Sequence, residues 1–234
     1  MRRGVEARSR RPSKLVSSLV ALAVAPALLA AALGVLISEP FLRWEYGRSG
    51  FPEAPGFTDA ERLALAVPST LYLVDASITE DDLVSLRHAG EPLYTQPEID
   101  HLIDVRRLVR ALRTIGVLAA ALLAVAMLAG LVSKPVRRPV GRGLKWGGLG
   151  AVAAIVLVIL GAGVAWPLLF VGFHEIFFDA GTWQFSASSG LIRLFPEKFW
   201  FDASLILATL VGMLGLLTAG WGQVISRDGT DGLV

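Results

Sequence analysis

The stretch Ile115–Val132, IGVLAAALLAVAMLAGLV, carries no charged side chain. A hydrocarbon core ~30 Å thick is crossed by about 20 predominantly apolar residues in helical form. Lipid offers no partner for unpaired backbone groups, so such a run must satisfy them within a helix. It is read as a transmembrane helix. Upstream stands PEIDHLIDVRRLVR (97–110), with a histidine among charges, and downstream the basic SKPVRRPVGRGLK (133–145). Three further runs have the same character: Leu15–Ile37, Leu149–Val171 and Ala203–Val224. None shows the polar stripe of a soluble amphipathic helix. The whole chain agrees: 234 residues, 54% hydrophobic, 18% charged, mean hydropathy +0.60. The fold expected is an all-α integral membrane protein of four transmembrane helices with a small extracytoplasmic cap.

The first run follows a basic segment, Arg2, Arg3, Arg8, Arg10, Arg11 and Lys14. Its apolar stretch exceeds the ~7–15 residues of a signal-peptide core and no small-x-small cleavage site follows, so it reads as a retained anchor. Lys134, Arg137, Arg138, Arg142 and Lys145 fill the loop after the second run. Excess lysine and arginine marks the cytoplasmic side. Spans at 15–37, 96–133, 149–171 and 203–225 then put both termini in the cytoplasm, and 38–95 and 172–202 outside. The first outer loop is acidic, as that side permits. The tail 226–234 reads as disordered. The chain has no cysteine, hence no disulfide, thiol nucleophile or cysteine metal site. A net charge of +2, concentrated on membrane flanks, points to membrane lipids as partners and not to nucleic acid.

Within the outer loop, Thr58-Asp59-Ala60-Glu61 has the form of a capping box, and its helix is expected to stop or bend near Pro68. A second helix is expected from Thr79 through DDLVSLRH to Gly90, with His88 as a C-terminal cap. Thr95-Gln96-Pro97-Glu98 is another capping box, opening a helix that continues into the second span.

His101 stands before that span and His174, in VGFHEIFFDAGTW, directly after the third. His101, Asp104 and Arg107 recur at i, i+3 spacing on one helix face, so the carboxylate can orient the imidazole or simply form a surface pair. Arg106, Arg110 and Arg113 either grip lipid phosphates or snorkel to headgroups. His174, with Glu175 and Asp179 nearby, reads as a functional group beside the membrane or as part of an aromatic belt. HEIFF lacks the second histidine of HExxH, so a zincin site is not supported. Arg193, in LIRLFPEKFWFD, is placed to meet an anion or oxyanion.

EIDHLIDVRRL before span two, FHEIFF after span three, a tryptophan shortly beyond, and LIRLFPEKFWFD leading into span four together resemble the bacterial lipoprotein intramolecular transacylase (Lit) family. Residue-level likeness covers about 98–109 and 173–202. No acidic residue stands near Gly190, where the resemblance leads one to expect it. The resemblance implies a cell-membrane acyltransferase acting on a diacylated bacterial lipoprotein. It would move the sn-2 acyl chain of the diacylglyceryl-cysteine to the N-terminal amine, leaving a lyso-form product. It implies His101 and His174 as the catalytic pair and neither cofactor nor metal; Asp104, Glu175 and Arg193 stand beside them as supporting residues on the spacing and position given above. Two other readings use the same residues: a non-catalytic assembly or sensor protein, and a metal-assisted membrane hydrolase with His101, Asp104 and His174 as ligands.

Overall fold

A computed structural model describes residues 2–227, with the side chains of 2–12 and 162 left outside the description. Five of the six basic side chains in the N-terminal arm, and the tail from 228 onward, therefore lie outside the described residues.

Among the described residues eight helices and one hairpin follow in chain order: α1 (Arg2–Leu36), α2 (Glu39–Tyr46), α3 (Asp59–Leu71), α4 (Glu80–Ser85), β1 (Arg87–His88), β2 (Glu91–Pro92), α5 (Gln96–Val132), α6 (Lys134–Phe177), α7 (Gly190–Leu194) and α8 (Glu197–Arg227). Four segments of the described residues are long and apolar enough to cross a membrane: Ser13–Leu36, Gln96–Val132, Lys134–Gly161 and Glu197–Arg227. The protein is a multi-pass, mostly helical membrane protein.

The chain divides into two compact units. One comprises Met1–Ala32, Arg113–Leu160 and Ala208–Val234. Between helices in lipid the hydrophobic effect is weak, so close backbone approach over small residues supplies the packing. GRGLKWGGLG (141–150) reads accordingly. A Cβ at Gly143 would meet Val20 at 2.6 Å and one at Gly147 the Ala21 carbonyl at 2.7 Å, so these two glycines seat α6 on α1. Gly141 and Gly148 face α8, against Gly222, Ser226, Gly215 and Ala219. Gly116 of α5 lies on Ala30 of α1. Val20, Val24, Val140 and Leu144 form the buried centre.

The second unit comprises Leu33–Leu112 and Gly161–Leu207 and has its own core, in which Leu42, Leu83, Ile99 and Leu194 are almost wholly buried. Each such side chain contributes about 1.5–3 kcal/mol relative to exposure. Its short helices start on side-chain caps. Ser38 accepts from Phe41 N, and Thr58 with Glu61 and Thr79 with Asp82 form complete capping boxes. Arg62 locks the loop segments: Nη1 donates to the Pro52 carbonyl at 2.6 Å and Nη2 to the Leu194 carbonyl at 3.1 Å. Its guanidinium lies 4.7 Å from each of the Tyr46 and Phe51 rings. Glu45, fully buried, takes Arg48 at 3.0 Å; burial raises its carboxyl pKa and Arg48 opposes the rise.

Three local features bear on the expectations from sequence. First, α3 does stop close to Pro68: it carries the proline in its last turn and ends at Leu71. Second, α4 stops at Ser85, and LRHAGEP becomes a hairpin in which Arg87 pairs with Pro92 and His88 with Glu91. Ala89 (φ 51°) and Gly90 (φ 85°) supply the left-handed pair a tight hairpin turn requires. His88 is thus no helix cap: its Nε2 meets the Gly56 carbonyl at 2.8 Å and its ring lies against that of Phe57, 3.8 Å between centroids and tilted by 30°. Third, the run 149–171 is not one regular helix, since Ala165 is non-helical (φ −155°, ψ 68°) inside α6. Pro167 cannot donate to the carbonyl four residues back and its ring crowds it, so the helix breaks beside GAGVAWP. The short apolar segment Gly163–Phe177, which contains the break, carries His174.

Candidate active site

Both histidines belong to the second unit. His101 lies in the first turns of α5, whose start is fixed by Glu98. Thr95 N and Thr95 Oγ1 each donate to Glu98 Oε2 at 2.8 Å, and Leu191 N donates to Oε1 at 2.8 Å. One buried carboxylate therefore makes half of the expected capping box, the Glu98 N–H going to the Thr95 carbonyl and not to its hydroxyl, and also ties α5 to α7. The tie explains Gly190: a Cβ there would collide with the Leu93 carbonyl, so no acidic side chain fits where the resemblance led one to expect it.

His101 is 6% exposed and walled by Phe178, 5.0 Å away centroid to centroid, and Phe185, at 5.5 Å. Its ring faces that of His174 at 6.2 Å with 24° between planes. His174 sits among Phe170 (4.2 Å), Trp183 (4.6 Å), Phe173 (5.3 Å) and Phe178 (5.5 Å). Trp183 is returned to the histidine by a turn in which Thr182 N donates to the Asp179 carbonyl at 3.2 Å. Gly181 (φ 84°) fills the third position, which in a type II turn requires positive φ.

The hydrogen-bond partners distinguish the two imidazoles. His174 Nδ1 lies 2.7 Å from the Phe170 carbonyl oxygen. A carbonyl only accepts, so Nδ1 carries the proton and the Nε2 lone pair is left for another group. His174 lies beyond the candidate span Lys134–Gly161, and its burial lowers its pKa, with the Phe170 hydrogen bond opposing. On His101, Nδ1 is buried without a partner, which leaves Nε2 as the nitrogen able to meet a substrate.

The supporting residues expected from sequence are distributed differently. Asp104 does not hydrogen-bond His101; its Oδ1 takes Arg107 Nη1 at 2.7 Å, so its role as an orienting group reduces to its field. Arg106 serves the loop: its guanidinium donates to the Ile78 and Asp75 carbonyls, both at 2.9 Å, and lies 4.1 Å from the Tyr72 ring. Headgroup contact by Arg106 therefore competes with these bonds. Arg193 turns to the 55–57 loop, donating to the Pro55 carbonyl at 2.6 Å and lying 4.2 Å from the Phe57 ring, so an oxyanion role would require it to leave that loop. Glu175 is exposed. Arg110 and Arg113 have interactions of their own. Among the described residues no three His, Asp, Glu or Cys side chains converge as a metal-ligand set, so His101, Asp104 and His174 do not assemble into one. Sequence reasoning missed the second bond of Glu98 and the ring of Phe185; it placed Phe178 and Trp183 in the aromatic belt around His174 without giving them His101 as a neighbour or a role. The capping motif signals the first oxygen of Glu98 but not where the second points.

Residues 17–200 match the family model of the lipoprotein intramolecular transacylase Lit. The chain belongs to this family. It is 30% identical over 208 residues to an uncharacterized protein of Aquifex aeolicus (strain VF5), a match covering 87% of this chain and 91% of that relative. Its fold is that of the membrane-integral Lit from Bacillus cereus, with a TM-score of 0.76 at 16% identity, covering 93% of this chain and 97% of the other. A histidine-to-arginine variant of the same Bacillus protein superposes with a TM-score of 0.71 at 15% identity, covering 97% and 98%. The Lit fold is thus present across both units, and the chain is a transacylase-family membrane protein.

Proposed function

We propose that this Lit-family chain moves the sn-2 acyl group of a diacylglyceryl-cysteine lipoprotein to the free amine of the same cysteine, with His174 as base and His101 as proton donor. An α-amine has a pKa of ~7.7–8.0 and is largely an ammonium at neutral pH, so its lone pair must first be freed to solvent base. The amine nitrogen then attacks the sn-2 ester carbon, and its remaining surplus proton passes to His174 Nε2. The carbonyl oxygen becomes an oxyanion. Collapse breaks the bond between carbonyl carbon and glycerol oxygen, and that oxygen takes a proton from His101 Nε2. An ester and an amine become an amide and an alcohol, and a proton returned from His174 to His101 resets the pair. Amine and ester belong to one molecule, so much of the entropic barrier is already met by the substrate.

The observation that carries this reading is the facing pair itself: two imidazoles 6.2 Å apart, one with its tautomer set by the Phe170 carbonyl. The test uses purified protein and a synthetic diacylglyceryl-cysteine lipopeptide in detergent micelles. Product and substrate have equal mass, so loss of amine reactivity and tandem mass spectrometry report the transfer. N-acyl, mono-O-acyl product is expected with the wild type and none with His174→Asn. Lipopeptide left unchanged by the wild type, or hydrolysed to free fatty acid, contradicts the proposal.

A further inference from the structure

Where a histidine base works in a hydrolytic triad, a carboxylate on its far nitrogen stabilises the imidazolium that forms. Here the far nitrogen of His174 meets a backbone carbonyl, and Asp104 is committed to Arg107. Glu175 and Asp179, on or next to its own helix, are exposed, and from α5 the titratable group facing it is His101. A positive charge formed on His174 therefore has no anionic neighbour in bonding contact among the described residues. It has aromatic faces instead. Trp183 lies 4.6 Å away with its ring tilted 32° from the imidazole plane. Indole presents the strongest negative face of the aromatic side chains. The Gly181 turn brings this ring back from outside α6, so its placement is independent of the helix that holds the histidine.

We propose that Trp183 acts through His174, its indole face stabilising the imidazolium formed when His174 accepts the substrate amine's proton. Trp183 is then a positioning residue for charge, and the inference rests on His174 being the base. It differs from a packing role in one respect: the electron density of the ring matters, not only its shape.

The test replaces Trp183 in the full-length chain, by nonsense suppression, with tryptophans bearing one to four ring fluorines. Fluorine withdraws density from the ring face and barely changes its size. With the lipopeptide substrate, kcat is expected to fall stepwise with each fluorine, reaching about 3- to 30-fold for the tetrafluoro ring. KM should stay constant, and the limb of the pH profile due to His174 should move to lower pH. Equal kcat across the series overturns the inference. His174→Asn in the same assay separates the two claims. Loss of transfer in that variant beside a flat fluorine series removes Trp183 alone. Retained transfer in that variant removes His174 as base, and Trp183 with it.

Discussion

The Nδ1 atoms of the two histidines stand in opposite circumstances: that of His174 donates to the Phe170 carbonyl, while that of His101 is buried with no partner. The proposed division of labour follows, and so do residue-scale expectations. Positioned acid–base groups contribute about 10²- to 10⁴-fold. His101→Asn and His174→Asn should each lower kcat by that order, and the double variant should be scarcely slower, because groups serving one transition state are not additive. Multiplicative losses in a double-mutant cycle would assign them to separate steps. Asp104→Asn breaks only a half-exposed pair with Arg107, so kcat should stay within about threefold of wild type, in line with the small worth of exposed ion pairs. A tenfold loss would restore Asp104 as an orienting group. On pH, a base must be neutral to work, and burial lowers the pKa of His174. Its neutral form then persists to lower pH than for a free imidazole, so beneath the limb set by the substrate amine near pH ~7.7–8.0 a second acid limb, absent from His174→Asn, should lie below pH ~6.5. A limb lost with His174 that lies above that value would contradict the assignment.

At the scale of elements, the tie between α5 and α7 is the feature most exposed to mutation. Glu98→Ala leaves Leu191 N unpaired in the interior and takes from Thr95 N its carboxylate partner, at a cost of about 1–3 kcal/mol, and should lower the unfolding temperature measured in detergent. Unchanged stability would show that other acceptors replace the carboxylate. Much at this scale is readable from sequence: continuous apolar runs specify the four spans, and Thr58–Glu61 specifies the start of α3. What escapes depends on tertiary partners. Ala89-Gly90 suits a helix end or a hairpin turn equally, and only the pairing of His88 with Glu91 decides for the hairpin. The i, i+3 spacing puts Asp104 within reach of both His101 and Arg107, and it bonds Arg107. The hydropathy of GAGVAWP gives no sign of the break at Ala165, though Pro167 does.

For the whole molecule, the basic flanks around Lys134–Lys145 lead us to expect cytoplasmic termini and an extracytoplasmic site. With no native cysteine, single introduced cysteines report topology directly: a thiol at exposed Ser188 should react with an impermeant reagent in intact cells, and one at Arg138 should not. The reverse pattern would put the histidines on the cytoplasmic face. The central claim concerns what the intact chain does to one substrate molecule. Wild-type protein in liposomes would receive an equal mixture of two lipopeptides, one unlabelled and one with a deuterated sn-2 acyl chain and a ¹⁵N-labelled peptide. Tandem mass spectrometry should find N-acyl products in which label stays with label and light with light. Crossed products, or amines that remain free, would contradict intramolecular acyl transfer.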